Sequence, residues 1–337
     1  MQAIVQARYG GPEVLEAHDI DPPGALGGDE ILVRVRAASV HADIWHVMRG
    51  RPYLMRLMGS GLWRPKQRVP GVDLSGVVEA VGAGVTRFAV GDEVFGDTVR
   101  RHEWMNGGSF AELAVARQDH LAHKPPGLSH VAAAGIPTSG NIAYRCLMHD
   151  GRLAAGAHVL INGAGGGVGS LAIQIAKAHG ARVTAVDRAD KHAMLRQLGA
   201  DAVIDHERQD YTRASAAYDL ILDIPGNHTF SECRRVLAPD GVYVLVGHDG
   251  YSATRGRWIG SVGTFLRLLP RTPFTQQLPR QGGAPSRPEM LAALRQLAAE
   301  GHLEPHVDRT YPLAQAAQAM RHLMSGDVKG RLILTIG

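Results

Sequence analysis

The sequence predicts an α/β protein in which a doubly wound parallel sheet is joined to a second, β-rich domain. Three observations carry that prediction. Between residues 125 and 250 short apolar runs alternate with segments of helical spacing. Strands that are apolar almost throughout need cover on both faces, and repeated strand–helix units supply it. A glycine-rich turn joins the strand at 158–162 to the helix that follows it. Residues 1 to 124 behave differently, with apolar and polar residues alternating as in strands that keep one wet face. The length of 337 residues fits two domains of roughly 150 residues each.

The elements follow in order. Residues 30–37 alternate with period two, and 77–82 and 92–96 are short strands punctuated by glycine. Residues 49–68, basic and rich in methionine, read as a loop with one helical turn. Residues 158–162 form an apolar run of strand length. Leu171, Ile175 and Ala178 give 170–179 a helical spacing, with Gly180 as its C-terminal cap. A strand at 182–186 comes next, and Asp190 can cap a helix that runs to Leu198 and stops at Gly199. Strands at 202–205, 218–223 and 242–246 continue the alternation. Residues 251–288 hold Arg, Gly and Pro without a clean period and read as a loop or lid. Helices at 289–300 and 313–324 and a strand at 331–336 close the chain.

Composition removes several classes. Hydrophobic residues make up 45% and charged residues 20%, the balance of a globular chain and not of a disordered one. The 41 glycines follow no Gly-X-Y period, so tight turns account for them. A net charge of +4 favours anionic ligands weakly and does not call for a nucleic acid. Cys146 and Cys233 build neither a disulfide framework nor a Cys-x-x-Cys metal clip. Met1-Gln2-Ala3-Ile4-Val5 lacks the pattern of a secretory signal, and no apolar run approaches the ~20 residues of a membrane helix. A cytoplasmic protein without stable membrane insertion is expected.

The most informative segment is Gly163-Ala164-Gly165-Gly166-Gly167-Val168-Gly169, placed between a strand and a helix. Small residues let backbone amides approach a pyrophosphate, and the helix N-terminus offers unpaired N–H groups to the same anion. Ala164, Gly166 and Gly169 stand in the three slots of a dinucleotide fingerprint, and Gly169 permits close helix–strand packing. Asp187 ends the next strand, 18 residues after Gly169, where it can accept hydrogen bonds from an adenosine ribose. Its neighbours Arg188 and Lys191 could instead pair with a 2′-phosphate, so NADH and NADPH both stay open. A solvated charge cluster is the plainer reading of those two cations.

At this point the chain resembles the medium-chain dehydrogenase/reductase superfamily, and within it the zinc-free quinone oxidoreductase branch. The likeness runs through Tyr9-Gly10-Gly11-Pro12-Glu13-Val14-Leu15, Ala38-Ser39-Val40-His41-Ala42-Asp43 and Pro70-Gly71-Val72-Asp73-Leu74-Ser75-Gly76. It continues through Gly91-Asp92-Glu93-Val94-Phe95-Gly96, the glycine turn, Leu198-Gly199-Ala200-Asp201 and Lys329-Gly330-Arg331-Leu332. The resemblance implies a central Rossmann-type domain at 125–286 and a GroES-like catalytic domain made from 1–124 and 287–337, with the cleft between them. It also implies a homodimer. Zinc-dependent relatives carry ligands where this chain has Val40, Val72 and Asp73, too few donors for a tetrahedral zinc. Without that Lewis acid, hydride delivery to a quinone or an α,β-unsaturated carbonyl is the expected reaction. The branch usually has Asn at the place of His41, which could hydrogen-bond a substrate oxygen or protonate it. Tyr53, in a loop where relatives place cleft residues, is a second candidate donor. Asp43 is read as an anchor for its loop. The resemblance puts Thr138, Ile224, Gly247 and His248 near the nicotinamide.

Weaker signals remain. Arg49, Arg51, Arg56, Arg64, Lys66 and Arg68 form one basic stretch, and Arg255, Arg257, Arg267, Arg271, Arg280 and Arg287 another. Solvated loops explain them most simply; a cleft mouth for anions or an RNA patch are the sharper readings. The first stretch is amphipathic, through Met48, Met55, Leu57, Met58, Leu62 and Trp63, and core packing or cleft lining is expected of it ahead of membrane adhesion. Three functions are carried forward. They are a quinone or enone reductase, a tailoring enzyme of secondary metabolism with its own substrate, and a non-catalytic nucleotide sensor or RNA-binding protein on the same fold. No nucleic-acid partner is expected from the first two.

Overall fold

The computed structural model describes residues 1–99, 105–215, 217–247, 258–279 and 282–337. Its strands are β1 (Gln2–Val5), β2 (Glu16–Asp19), β3 (Glu30–Val40), β4 (Asp73–Val81), β5 (Glu93–Asp97), β6 (Leu113–Arg117) and β7 (Leu121–His123). They continue as β8 (His158–Asn162), β9 (Arg182–Asp187), β10 (Ala202–Asp205), β11 (Tyr218–Asp223), β12 (Leu237–Leu245), β13 (Val307–Pro312) and β14 (Arg331–Thr335).

Five strands pair in parallel in the order β10-β9-β8-β11-β12. Alternate side chains leave this sheet on opposite faces. Val159, Ile161, Leu220, Leu222, Val242 and Val244 enter one apolar cluster with the helix Gly167–Ala178. Leu160, Ile221, Tyr243 and Leu245 enter another. Both faces are therefore dry, which is why the strands read as unbroken apolar runs. From β8 the chain moves outward through β9 and β10, then returns to the other side of β8 with β11. The order reverses between β8 and β11, and a crevice opens at the carboxyl ends of those two strands, where ligands bind in sheets of this kind.

The second sheet joins the two ends of the chain. Its order is β13-β14-β3-β4-β5-β7, with β6 also paired to β3. β14 lies antiparallel to β3, with Leu332 opposite Val40, and β3 lies antiparallel to β4, with Ala38 opposite Leu74. That register brings the end of β3, the start of β4 and the start of β14 together at one edge of the crevice.

Several local expectations change. The helix expected at 170–179 starts earlier, at Gly167, because the glycines of the turn themselves form its first turn. Asp190 caps no helix; it lies in a 3-10 turn, Ala189–Lys191, and its carboxylate is held by Arg188 instead. The described part of 251–288 is largely helical, with Val262–Leu268 running into a 3-10 segment, Leu269–Phe274. Pro270 and Pro273 lie in this segment, and each removes a backbone N–H donor there. Core packing holds for Met48 and Met55 but not for Leu57, Met58, Leu62 and Trp63, which are exposed. Among the described residues no helix is long and apolar enough to cross a membrane.

Candidate active site

The crevice opens into a cleft of about 880 Å³ that runs between the parallel sheet and the edge formed by β3, β4 and β14. Its nucleotide wall is the turn after β8. Gly163 takes a φ of +79°, a conformation that side chains disfavour. The amides of Gly163 and Ala164 donate to the Val186 carbonyl at 3.0 and 3.1 Å, which pins the turn to β9. Gly166 precedes the helix as its N-cap, and Gly166, Gly167, Val168 and Gly169 border the cleft. A Cβ at Gly169 would overlap the Gly163 carbonyl and the Ala164 backbone, so the spacing predicted for helix–strand packing has a steric cause.

Asp187 closes this wall at the far end. Its Oδ2 accepts the Gly165 amide at 2.7 Å, its Oδ1 accepts the Arg188 amide at 2.9 Å, and the buried Lys191 Nζ lies 3.5 Å from Oδ1. The Arg188 guanidinium turns to carboxylates, donating to Asp190 at 3.2 Å and to Asp327 at 3.0 Å. The bond from Arg188 holds the Asp327 carboxyl below the usual carboxylate range. Lys329 approaches Asp190 at 3.7 Å, so two ion pairs tie the loop before β14 to the loop after β9.

The opposite wall is made by side chains. Asp73, at the start of β4, is wholly buried. Its Oδ1 accepts the amide and hydroxyl of Thr138, and its Oδ2 accepts the Ser39 hydroxyl at 2.9 Å. Arg331, from the start of β14, reaches Asp73 at 3.3 Å, Ser39 at 2.8 Å and Ser139 at 2.7 Å. A buried ion pair needs hydrogen bonds of this kind to offset its lost hydration. Above it His41 lines the cleft, 4% exposed. Asp43 Oδ2 stands 3.3 Å from its Nδ1, while Nε2 is buried without a hydrogen-bond partner, 3.9 Å from Asp73. A buried ring nitrogen without a partner is costly unless a ligand meets it.

The cleft thus gathers His41, Gly163, Gly166, Gly167, Val168, Gly169, Asp187, Lys191, Ile224 and Gly247 from the predicted set. Ala164 and Thr138 are buried behind it, Gly165 turns its amide to Asp187, and Arg188 faces carboxylates. Tyr53 is absent from the lining. Its ring lies under the Arg56 guanidinium at 4.8 Å and meets Trp258 edge-on at 5.2 Å, while its neighbour Pro52 borders the cleft. His248 lies outside the described residues. Sequence reasoning missed the linkage of Asp73 to Arg331 and the cleft-lining Cys146, Ser261, Val262 and Phe265. Burial pushes the Cys146 thiol up to about 12, so it faces the cleft as a neutral group.

The donor set for a catalytic zinc does not fit. Val40 and Val72 offer no donor atom, and the Asp73 carboxylate is spent on Arg331, Ser39 and Thr138. Among the described residues no group of three or more His, Cys, Asp or Glu is placed to hold a metal ion.

Two family models match the chain, the alcohol dehydrogenase GroES-like domain over residues 27–126 and the zinc-binding dehydrogenase over 198–334. Quinone oxidoreductase from mouse (Mus musculus) is 30% identical over 358 aligned residues, covering 100% of this chain and 98% of that one. The solved structure of a quinone oxidoreductase from Coxiella burnetii superposes with a TM-score of 0.82 at 26% identity, over 100% of this chain and 99% of that one. An NAD-dependent alcohol dehydrogenase structure gives a TM-score of 0.80 at 30% identity, with both chains fully covered. The parallel sheet is a Rossmann-type domain and the mixed sheet a GroES-like one. Fold, glycine turn and full-length similarity together place the chain in the medium-chain dehydrogenase/reductase superfamily, in its quinone oxidoreductase branch, as a nicotinamide-dependent oxidoreductase.

Proposed function

We propose that this enzyme reduces a quinone or an α,β-unsaturated carbonyl with NADH or NADPH, without zinc. The observation that carries the reading is the His41 Nε2 atom, buried and unpartnered in the cleft that the glycine turn also lines. The nicotinamide supplies the hydride when bound. Gly163 through Gly169 would receive the pyrophosphate on backbone amides, and Ile224 and Gly247 would border the nicotinamide. Protonated His41 would donate its Nε2 proton to the acceptor oxygen as hydride arrives at the conjugated carbon, and Asp43 would keep Nδ1 oriented. A conjugated acceptor spreads the developing charge over its own π-system, so a histidine donor can stand where related enzymes use a metal.

Asp187 favours NADH, since a 2′-phosphate would meet its carboxylate, while Arg188, the cation beside it, is already engaged by Asp190 and Asp327. Val262 and Phe265, with Ser261 beside them, give the cleft a largely apolar wall that would select the acceptor, which also keeps a tailoring enzyme with its own substrate in view. The limits 1–124 with 287–337 and 125–286 stand as proposed domain boundaries, and a cytoplasmic homodimer as the proposed state.

Anaerobic mixing of the enzyme with NADH or NADPH and a panel of quinones and enals tests the reading. Loss of cofactor absorbance with at least one acceptor is expected, faster with NADH. Tight cofactor binding with no oxidation by any acceptor would contradict it.

A further inference from the structure

We propose that the loop at residues 56–64, together with Trp258 and Ile259, is a docking surface for an anionic lipid membrane. Leu57 is 74% exposed, Leu62 54%, Trp63 88%, Trp258 73% and Ile259 47%. These belong to two segments far apart in sequence that the fold joins. The Leu54 amide donates to the Trp258 carbonyl at 3.1 Å, and the Tyr53 and Trp258 rings meet edge to face. Large apolar side chains clustered in water mark an interaction site.

The charge along both of these segments has one sign. From residue 44 to residue 72 the sequence contains no Asp or Glu but holds Arg49, Arg51, Arg56, Arg64, Lys66 and Arg68. From 250 to 288 it again contains no Asp or Glu, and Arg267 and Arg271 are exposed there. Arg64, Lys66 and Arg68 are exposed beside Trp63. Tryptophan and leucine set among cations is the pattern of surfaces that lie in the headgroup region, where each cation gains from anionic lipid and each apolar side chain from the acyl boundary.

Other occupants fit less well. A two-fold contact with a second copy would set these cations against their own images, with no acidic residue in either segment to pair them. RNA would use the cations and Trp63 but would leave Leu57, Leu62 and Ile259 without a partner. The same two segments line the cleft through Pro52, Ser261, Val262 and Phe265, so docking sets the cleft beside the lipid surface. Entry of a lipid-soluble acceptor by that route rests on the function proposed above; docking itself does not.

The test sediments the full chain, without cofactor or acceptor, with vesicles of phosphatidylcholine alone or of phosphatidylcholine mixed with phosphatidylglycerol. Binding to the mixed vesicles only, released by salt, is expected. The pairs Leu57→Ser with Trp63→Ser, and Arg64→Glu with Lys66→Glu, should each lower the partition about tenfold or more. An unchanged thermal midpoint shows that the variants remain folded. Absence of binding to the mixed vesicles, or binding that neither pair weakens, overturns the proposal. So does a dimer that Trp63→Ser splits without any vesicle binding, or RNA binding lost on Arg64→Glu with Lys66→Glu while vesicles are ignored. Acceptor reduction is assayed separately, so loss of the function proposed above and loss of docking give different results.

Discussion

The nucleotide wall of the cleft is made of backbone, whereas the wall facing it is made of side chains. On the first, Gly163, Gly165 and Gly169 act through missing Cβ atoms and placed amides within one short turn. On the second, Ser39, Asp73, Thr138, Ser139 and Arg331 come from both ends and the middle of the chain to one buried ion pair. The difference separates two tasks. A backbone cradle can hold a constant anion by shape and dipole, while a side-chain assembly can place one reactive nitrogen, that of His41, against a variable acceptor.

The largest effect should follow from breaking the side-chain wall. Arg331→Met leaves Asp73 buried without its cation and should cost about 3–5 kcal/mol in chemical unfolding. An unchanged unfolding midpoint would show that the hydroxyls alone satisfy Asp73. Breaking the backbone wall comes next. Gly169→Val forces a side chain into the Gly163 carbonyl, and a loss of about 1–3 kcal/mol is expected, together with weaker binding of both NADH and NADPH in fluorescence titration. At the edge of that wall, Asp187→Ala frees the Gly165 amide and should weaken NADH by about 1–3 kcal/mol while sparing NADPH. Asp327→Ala should leave stability nearly unmoved, because the pair is largely exposed, but should loosen Arg188, which Asp190 still holds, and raise the ratio of NADPH to NADH use slightly.

The smallest effect concerns neither wall. His130 and His158 are held below the usual imidazole range, chiefly by burial. The unfolded chain binds their protons near pH ~6.5 whereas the folded chain resists them. Their stability is therefore present above that pH and lost as pH falls below it. The thermal midpoint should drop on acidification through this range, and His158→Gln should flatten part of the drop.

The nucleotide wall was legible in the sequence for a physical reason: its turn is local, and each glycine has a nearby steric cause. The strands of the parallel sheet were legible because both of their faces are dry. The side-chain wall was less so. Ser39 and Arg331 are 292 positions apart, and nothing in either local sequence announces that β14 will lie against β3. The helix Ala42–Arg49 escaped notice because His41 at its N-cap makes no side-chain capping bond. The exposed state of Leu57 and Trp63 was hidden because amphipathic spacing is the same for a face that meets the core and one that meets something outside it.

The division between the two walls is tested most directly by His41→Leu, which leaves no donor at that position, with cofactor affinity and turnover measured on the same protein. Turnover with a quinone or enone acceptor should fall about 100-fold or more. The dissociation constant of NADH, read from nicotinamide fluorescence, should stay within about twofold, since the substitution leaves the glycine turn untouched. A variant that keeps its turnover, or one whose affinity for NADH falls in step with its rate, would contradict the assignment of chemistry to one wall and binding to the other.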